Sequence, residues 1–198
     1  MKDKKVVIVT GGAGGIGRAL SHRFAAGGYQ VVAADRDADG LAGVTEALRA
    51  TGAECLPVCG DLEQDACLQQ LVQQAVQAFG RIDAVINNAA WRTITTMRHI
   101  SREDWDRALR VCLTAPAFLA KYAAAVMEHA ATEGVIVNIS SVMAQRAGGS
   151  SPAYIAAKGA LESLTYELFV LDVPRVSRVV GINPGNIASG LSSDYQDE

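Results

Sequence analysis

Val6-Val7-Ile8-Val9-Thr10-Gly11-Gly12-Ala13-Gly14-Gly15-Ile16-Gly17-Arg18 carries an apolar run straight into a glycine-rich turn and then into a helical stretch reaching Ala26. Strand, glycine turn and helix in that order form the context in which such a fingerprint binds a dinucleotide. Glycine lets the backbone turn tightly and approach a pyrophosphate, whose charge meets the amides at the helix N-terminus. A second apolar run, Tyr29 to Ala34, ends in Asp35, eighteen residues after Gly17. A carboxylate there can accept hydrogen bonds from both ribose hydroxyls of NAD and would repel the 2′-phosphate of NADP. Arg36 follows at once, and an arginine at that point can hold a phosphate. The glycine loop itself contains no basic residue, so the expected cofactor is NAD rather than NADP.

Outward from this turn, short β-rich runs alternate with long helical stretches. Strands are expected at 6–9, 29–34, 54–58, 82–86, 134–139 and 178–182, with helices over 41–50, 68–79, 104–128 and 153–171. Ser101-Arg102-Glu103-Asp104 opens the third of these helices with a serine at the cap and an acid three residues later. Pro116 lies inside it and should kink it, because proline lacks the amide hydrogen and crowds the preceding turn. Alternating strands and helices, with strands apolar on both faces, predict an α/β fold: a doubly wound, Rossmann-like parallel sheet covered on both sides. Right-handed crossovers give at least six strands in the order 3-2-1-4-5-6, with ligands at the carboxyl ends of the strands. A chain of 198 residues, 49% apolar, suffices for one domain with a substantial core and is short for two.

Tyr154 and Lys158 stand four residues apart in Ser-Pro-Ala-Tyr-Ile-Ala-Ala-Lys, and Ser141 lies thirteen residues before the tyrosine. Positions i and i+4 share a helix face, so the ammonium can lie beside the phenol. Free tyrosine ionises near pH ~10 and is a poor base at neutral pH. A fixed cation nearby favours the phenolate and should bring it toward a useful range. The spacing also occurs on ordinary helices, so its weight comes from the nucleotide site that precedes it.

Net charge is −3 with acids and bases interspersed, which points neither to nucleic acid nor to an anionic membrane. The N-terminus lacks the apolar stretch of a signal peptide, and a cytoplasmic location is expected. Cys55, Cys59, Cys67 and Cys112 are expected as small buried thiols, with no disulfide; they and the scattered His22, His99 and His129 give no metal-ligand pattern.

Several motifs in order make the chain resemble a short-chain dehydrogenase/reductase of the ordinary single-domain kind, over nearly its whole length. Thr10, Gly11, Gly15 and Gly17 match the T-G-x-x-x-G-x-G spacing. Asp61-Leu62 resembles the adenine-contacting pair, and Asn87-Asn88-Ala89-Ala90 is similar to the Asn-Asn-Ala-Gly turn under the nicotinamide half. Pro184-Gly185-Asn186-Ile187-Ala188-Ser189 resembles the segment that holds the carboxamide. The resemblance implies hydride transfer between a nicotinamide cofactor and a secondary alcohol or ketone. It gives Tyr154 the role of general acid and base, Lys158 a tuning and ribose-binding role, and Ser141 the task of holding the substrate oxygen. Gly11, Gly15, Ile16, Gly17, Asp35, Arg36, Asp61, Leu62, Asn88, Ala89, Ala90, Tyr154, Lys158, Pro184, Gly185, Ile187 and Ser189 are the expected cofactor contacts. Ser140 is the competitor for Ser141.

Two departures stand out. Where the family commonly has an asparagine completing a proton relay, this sequence has Cys112, and a thiol cannot reproduce an amide's hydrogen bonds. Only thirteen residues follow Gly185, so the last strand of the family is expected to be missing, the site to be more open and the sixth strand to be an exposed edge. Both features leave a second reading, an NAD-binding protein with little turnover. Assembly through the helices around 116–127 and 160–169 predicts a homodimer, with a tetramer as the larger alternative. Trp91, Met143, Gln145 and Arg146 are expected to face the substrate, Trp91 either as an apolar wall or packed on its own loop.

Overall fold

The computed structural model describes residues 4–146, 148–172 and 177–187. Six strands form one parallel sheet: β1 (Val6–Thr10), β2 (Gln30–Asp35), β3 (Cys55–Cys59), β4 (Ala84–Asn87), β5 (Gly134–Ile139) and β6 (Ser177–Ile182). Their order is β3-β2-β1-β4-β5-β6, the doubly wound order expected from the sequence. Every residue of β1 is buried, because helices cover both faces of a central parallel strand.

The helices are α1 (Gly15–Ala26), α2 (Ala38–Ala50), α3 (Asp65–Phe79), α4 (Arg102–Leu109), α5 (Ala115–His129) and α6 (Pro152–Asp172). On one face Val6, Ile8, Val32 and Val85 pack with Leu71 of α3 and Leu119 of α5. On the other, Val7, Val9, Val31 and Ala33 pack with Leu41 and Leu48 of α2 and Phe24 of α1. Adjacent residues of one strand thus feed two cores.

The helix boundaries that differ from expectation have local causes. Helix α2 begins three residues early because the Asp37 carboxylate caps it, accepting from Gly40 N at 3.0 Å. Ser101 caps α4 as predicted, accepting from Asp104 N at 3.0 Å. The helix expected over 104–128 is divided by a π turn, Arg110–Thr114, in which Ala115 N bonds the Arg110 carbonyl. Pro116 has no amide to donate in the α pattern, so the interruption falls just before it.

By length and composition alone the segment Arg102–His129 is apolar enough to cross a membrane. Its Ala108, Cys112, Ala115, Leu119, Ala120, Ala123 and Met127 are buried within the fold. The cysteines also differ from expectation. Cys55 and Cys112 are buried, but Cys59 is exposed at the end of β3 and Cys67 is half-buried; all four are free thiols. Among the described residues β6 forms one edge of the sheet, with Val180 and Ile182 about half exposed.

Candidate active site

β1 ends at Thr10, and the chain reverses through Gly11, whose φ of +66° lies in the left-handed region. A Cβ on Gly17 would collide with the Gly11 carbonyl oxygen, so the first turn of α1 packs on the loop only with glycine there. Gly14 caps the helix without any side-chain bond. The amides of the first turn have no intrahelical acceptor, and Gly15, Ile16 and Gly17 line the cleft above β1. An anion is what such a helix end accommodates.

That cleft has a volume of about 480 Å³ and runs across the carboxyl ends of the strands. Gly11, Gly15, Ile16, Gly17, Asp35, Arg36, Asp61, Leu62, Asn88, Ala89, Ala90, Ser141, Tyr154, Lys158, Pro184, Gly185 and Ile187 all line it. Sequence reasoning named each of these; Ser189 lies outside the described residues. A bare glycine cradle, an acid at the end of β2 and a long cleft fit an elongated dinucleotide.

The polar groups of the floor also hold the scaffold. Asp35 accepts from Ala13 N at 3.0 Å and Asp37 N at 3.1 Å, which fixes the glycine turn and leaves lone pairs for a ligand. Asn88 donates to the Thr10 carbonyl at 2.9 Å, while Thr10 Oγ1 accepts from the amides of Asn88 and Ala89. These bonds lock the end of β4 against the glycine loop. Asp61 accepts from Glu63 N at 3.0 Å and thereby shapes its own turn.

At the other end of the cleft the two serines part company. Ser140 Oγ donates to the Lys158 carbonyl at 3.1 Å, a bond to the backbone of α6. Ser141 Oγ accepts from Met143 N at 3.1 Å and bonds the Tyr154 hydroxyl. Lys158 is 1% exposed, and its Nζ donates to the Ile139 carbonyl at 2.6 Å while standing 5.7 Å from the centre of the Tyr154 ring. The sequence predicts that this cation lowers the tyrosine pKa. The structure gives the opposite balance. Burial pushes the Tyr154 phenol above its ordinary value; the Ser141 bond opposes this, and Arg92 lowers it. The ammonium directs its short bond at Ile139 and does not reverse the balance. Burial pushes Lys158 below its usual value.

Cys112 sits in the π turn, fully buried. Its sulfur accepts from Trp91 N at 3.3 Å and donates to the Trp91 carbonyl at 3.4 Å, a two-way clasp on one residue. Burial raises its pKa, so the thiol stays neutral, with Lys158 and the Trp91 amide opposing that rise.

Several residues at the site carried no sequence signal. Arg92 and Val111 line the cleft. Glu162, one turn beyond Lys158, accepts from Asn183 at 2.7 Å and Gln145 at 3.2 Å, tying the ends of β5 and β6 together. Trp91 and Met143 line the cleft as expected. Gln145 and Arg146 do not, because Gln145 is turned onto Glu162 and Arg146 is exposed.

The short chain dehydrogenase family profile matches residues 5–198. The chain is similar to glucose 1-dehydrogenase 2 of Bacillus subtilis, 31% identical over 196 residues, covering 98% of this chain and 76% of that protein. A short chain dehydrogenase/reductase from Burkholderia phymatum in complex with NAD aligns with a TM-score of 0.91 at 30% identity, over 96% of this chain and 68% of that one. A metagenomic short-chain oxidoreductase in complex with NADP aligns at 0.87 and 29% identity, over 92% of this chain and 83% of that one. With that match along its length, the chain belongs to the short chain dehydrogenase family of oxidoreductases.

Proposed function

We propose that the chain is an NAD-dependent oxidoreductase interconverting a secondary alcohol and its ketone, with Tyr154 as general acid and base. The observation that carries this reading is the convergence of Ser141, Tyr154 and Lys158 on the cleft that also holds the glycine turn and Asp35. Gly11, Gly15, Ile16 and Gly17 would hold the pyrophosphate, Asp35 the adenine ribose, and Asp61 with Leu62 the adenine. Asn88, Ala89, Ala90, Pro184, Gly185 and Ile187 would frame the nicotinamide half. NAD bound there supplies a ring that accepts or gives a hydride.

The chain's own residues handle the proton. Ser141 donates a hydrogen bond to the substrate oxygen and holds it next to the Tyr154 hydroxyl. In reduction the phenol gives its proton to that oxygen; in oxidation the phenolate takes it back. Burial keeps the phenol protonated near neutral pH, which suits the reducing direction there. Lys158 Nζ, anchored by Ile139, stands 5.7 Å from the centre of the Tyr154 ring and would hold the cofactor ribose by hydrogen bonds.

Relatives exist with either dinucleotide, so the preference rests on this chain's own charges. Asp35 opposes a 2′-phosphate from within the cleft, whereas Arg36, also lining it, is exposed; this favours NAD. The Bacillus subtilis glucose dehydrogenase supports a hydroxyl-bearing carbon as the reacting centre. We take the protein to be a single-domain homodimer acting on a small molecule in the cytoplasm.

The test follows the absorbance of reduced nicotinamide with NAD or NADP across a panel of secondary alcohols and ketones. Turnover with NAD is expected to fall roughly a thousandfold in Tyr154→Phe, the scale of a lost acid–base catalyst. Tight NAD binding with turnover no faster than in the variant would instead favour a binding protein without useful catalysis.

A further inference from the structure

Trp91 follows the Asn87–Ala90 turn directly and lines the same end of the cleft as Ser141, Tyr154, Val111 and Met143. Three restraints act on it. Its amide and carbonyl are both held by the Cys112 sulfur, at 3.3 and 3.4 Å. Its indole lies under the Arg107 guanidinium, 5.2 Å from the ring centre. Arg107 is itself placed by Glu63, whose carboxylate lies 2.8 Å from Arg107 Nε and 2.9 Å from Arg110 Nε. The first pair is an ion pair turned away from hydrogen-bond geometry, so it fixes position more than angle.

The clasping cysteine also packs in one buried cluster with Tyr154 and Ala157, flanked by Ala90, Val111 and Met143. The wall and the acid–base group therefore share a support. A thiol whose single proton is donated to a backbone carbonyl has none left to direct toward the cleft.

We propose that Trp91 is the specificity-determining residue of this site, a rigid apolar wall that selects ring-bearing secondary alcohols and ketones, with Cys112 as its positioning residue. The proposal rests on the alcohol-oxidoreductase reading above and names the substrate class for it. A flat surface already immobilised by its neighbours loses no side-chain freedom on binding, and a ring loses fewer rotors against it than a chain does. Its neighbours Val111, Met143 and Ala90 extend the apolar surface.

The experiment compares kcat/KM for cyclohexanol and 1-phenylethanol with that for 2-propanol, in wild type, Trp91→Ala, Trp91→Leu and Cys112→Val. Wild type should prefer the ring-bearing alcohols. The preference ratio should fall roughly tenfold or more in Trp91→Ala, the scale of discrimination an apolar pocket supplies. Trp91→Leu should recover part of it, and Cys112→Val, which cannot clasp the backbone, should lower it through KM for the ring substrate. An unchanged ratio in both Trp91 variants overturns the proposal. A second readout stands apart from turnover. Trp105→Phe leaves Trp91 as the sole indole. With NAD present, cyclohexanol should shift its emission saturably, and 2-propanol should not. No shift with cyclohexanol overturns the wall even if the enzyme turns over. A saturable shift without turnover of any alcohol supports the wall and sinks the catalytic reading instead.

Discussion

At the scale of single residues, burial rather than charge pairing governs the ionisation of Tyr154 and Lys158. Tyr154 is held above its ordinary value and Lys158 below its own, each chiefly by desolvation. Oxidation needs the phenolate, and a raised pKa makes that form scarce at neutral pH. The rate of alcohol oxidation at saturating substrate should therefore climb by about tenfold per pH unit from neutral pH into the alkaline range. Ketone reduction, which uses the phenol, should stay flat over that span and fall only above it. A stopped-time absorbance assay in both directions checks this, and an oxidation rate that levels off below pH 8 would contradict it. The sequence made the pairing of Tyr154 with Lys158 legible because helix geometry is local. It did not reveal the balance of forces. The acceptor for Lys158 is a carbonyl nineteen residues away, at the end of another element. Glu162 was invisible for a related reason. A helical glutamate reads as a solvent-facing residue until β6 places Asn183 against it.

At the scale of elements, the glycine turn was the most legible feature, since its spacing is dictated by close approaches that no other residue permits. Two substitutions separate that constraint from ordinary glycine flexibility. Gly17→Ala puts a methyl group into the Gly11 carbonyl, which is backbone and cannot swing aside. It should push the first turn of α1 away from the loop and weaken NAD binding roughly tenfold or more, by calorimetric titration. Gly43→Ala meets nothing within 4 Å, on the exposed side of α2. It should raise stability by about 0.5–1 kcal/mol, the ordinary helix gain over glycine, in a denaturant titration, without altering NAD affinity. Equal effects of the two would mean that the turn tolerates a side chain. The interruption before Pro116 was legible as a break, because the missing amide is written in the sequence. Its form was not. A π turn shifts the register by one residue and aims the Cys112 sulfur at Trp91, and that choice belongs to packing between α4, α6 and the loop after β4.

At the scale of the whole molecule, the strand order followed from crossover handedness and from the order of motifs along the chain, which is why it was readable end to end. The outer surface was readable only in part. Assembly is expected through the helices around 116–127 and 160–169, where Ala123 is buried against the chain's own core and Ala125 is exposed. What α5 and α6 turn outward is larger: Phe118, Tyr166, Phe169 and Val170 are 40%, 75%, 48% and 69% exposed. Scattered apolar side chains on a surface need no explanation, but these four lie on the two helices through which assembly is expected. A specific, stable interface buries about 1,200–2,000 Å² in total, an area that long paired helices can supply. The chain should therefore run at twice its own mass in light scattering at micromolar concentration, and Tyr166→Glu with Phe169→Glu should bring it to the monomer mass. Because α6 also carries Tyr154 and Lys158 at its other end, loss of the dimer should lower the melting temperature and loosen the cleft together. The double variant would then bind NAD more weakly although no cofactor contact has changed. A wild-type chain that runs as a monomer would remove the interface, and a monomeric variant with full NAD affinity would show that the cleft holds its shape without a partner.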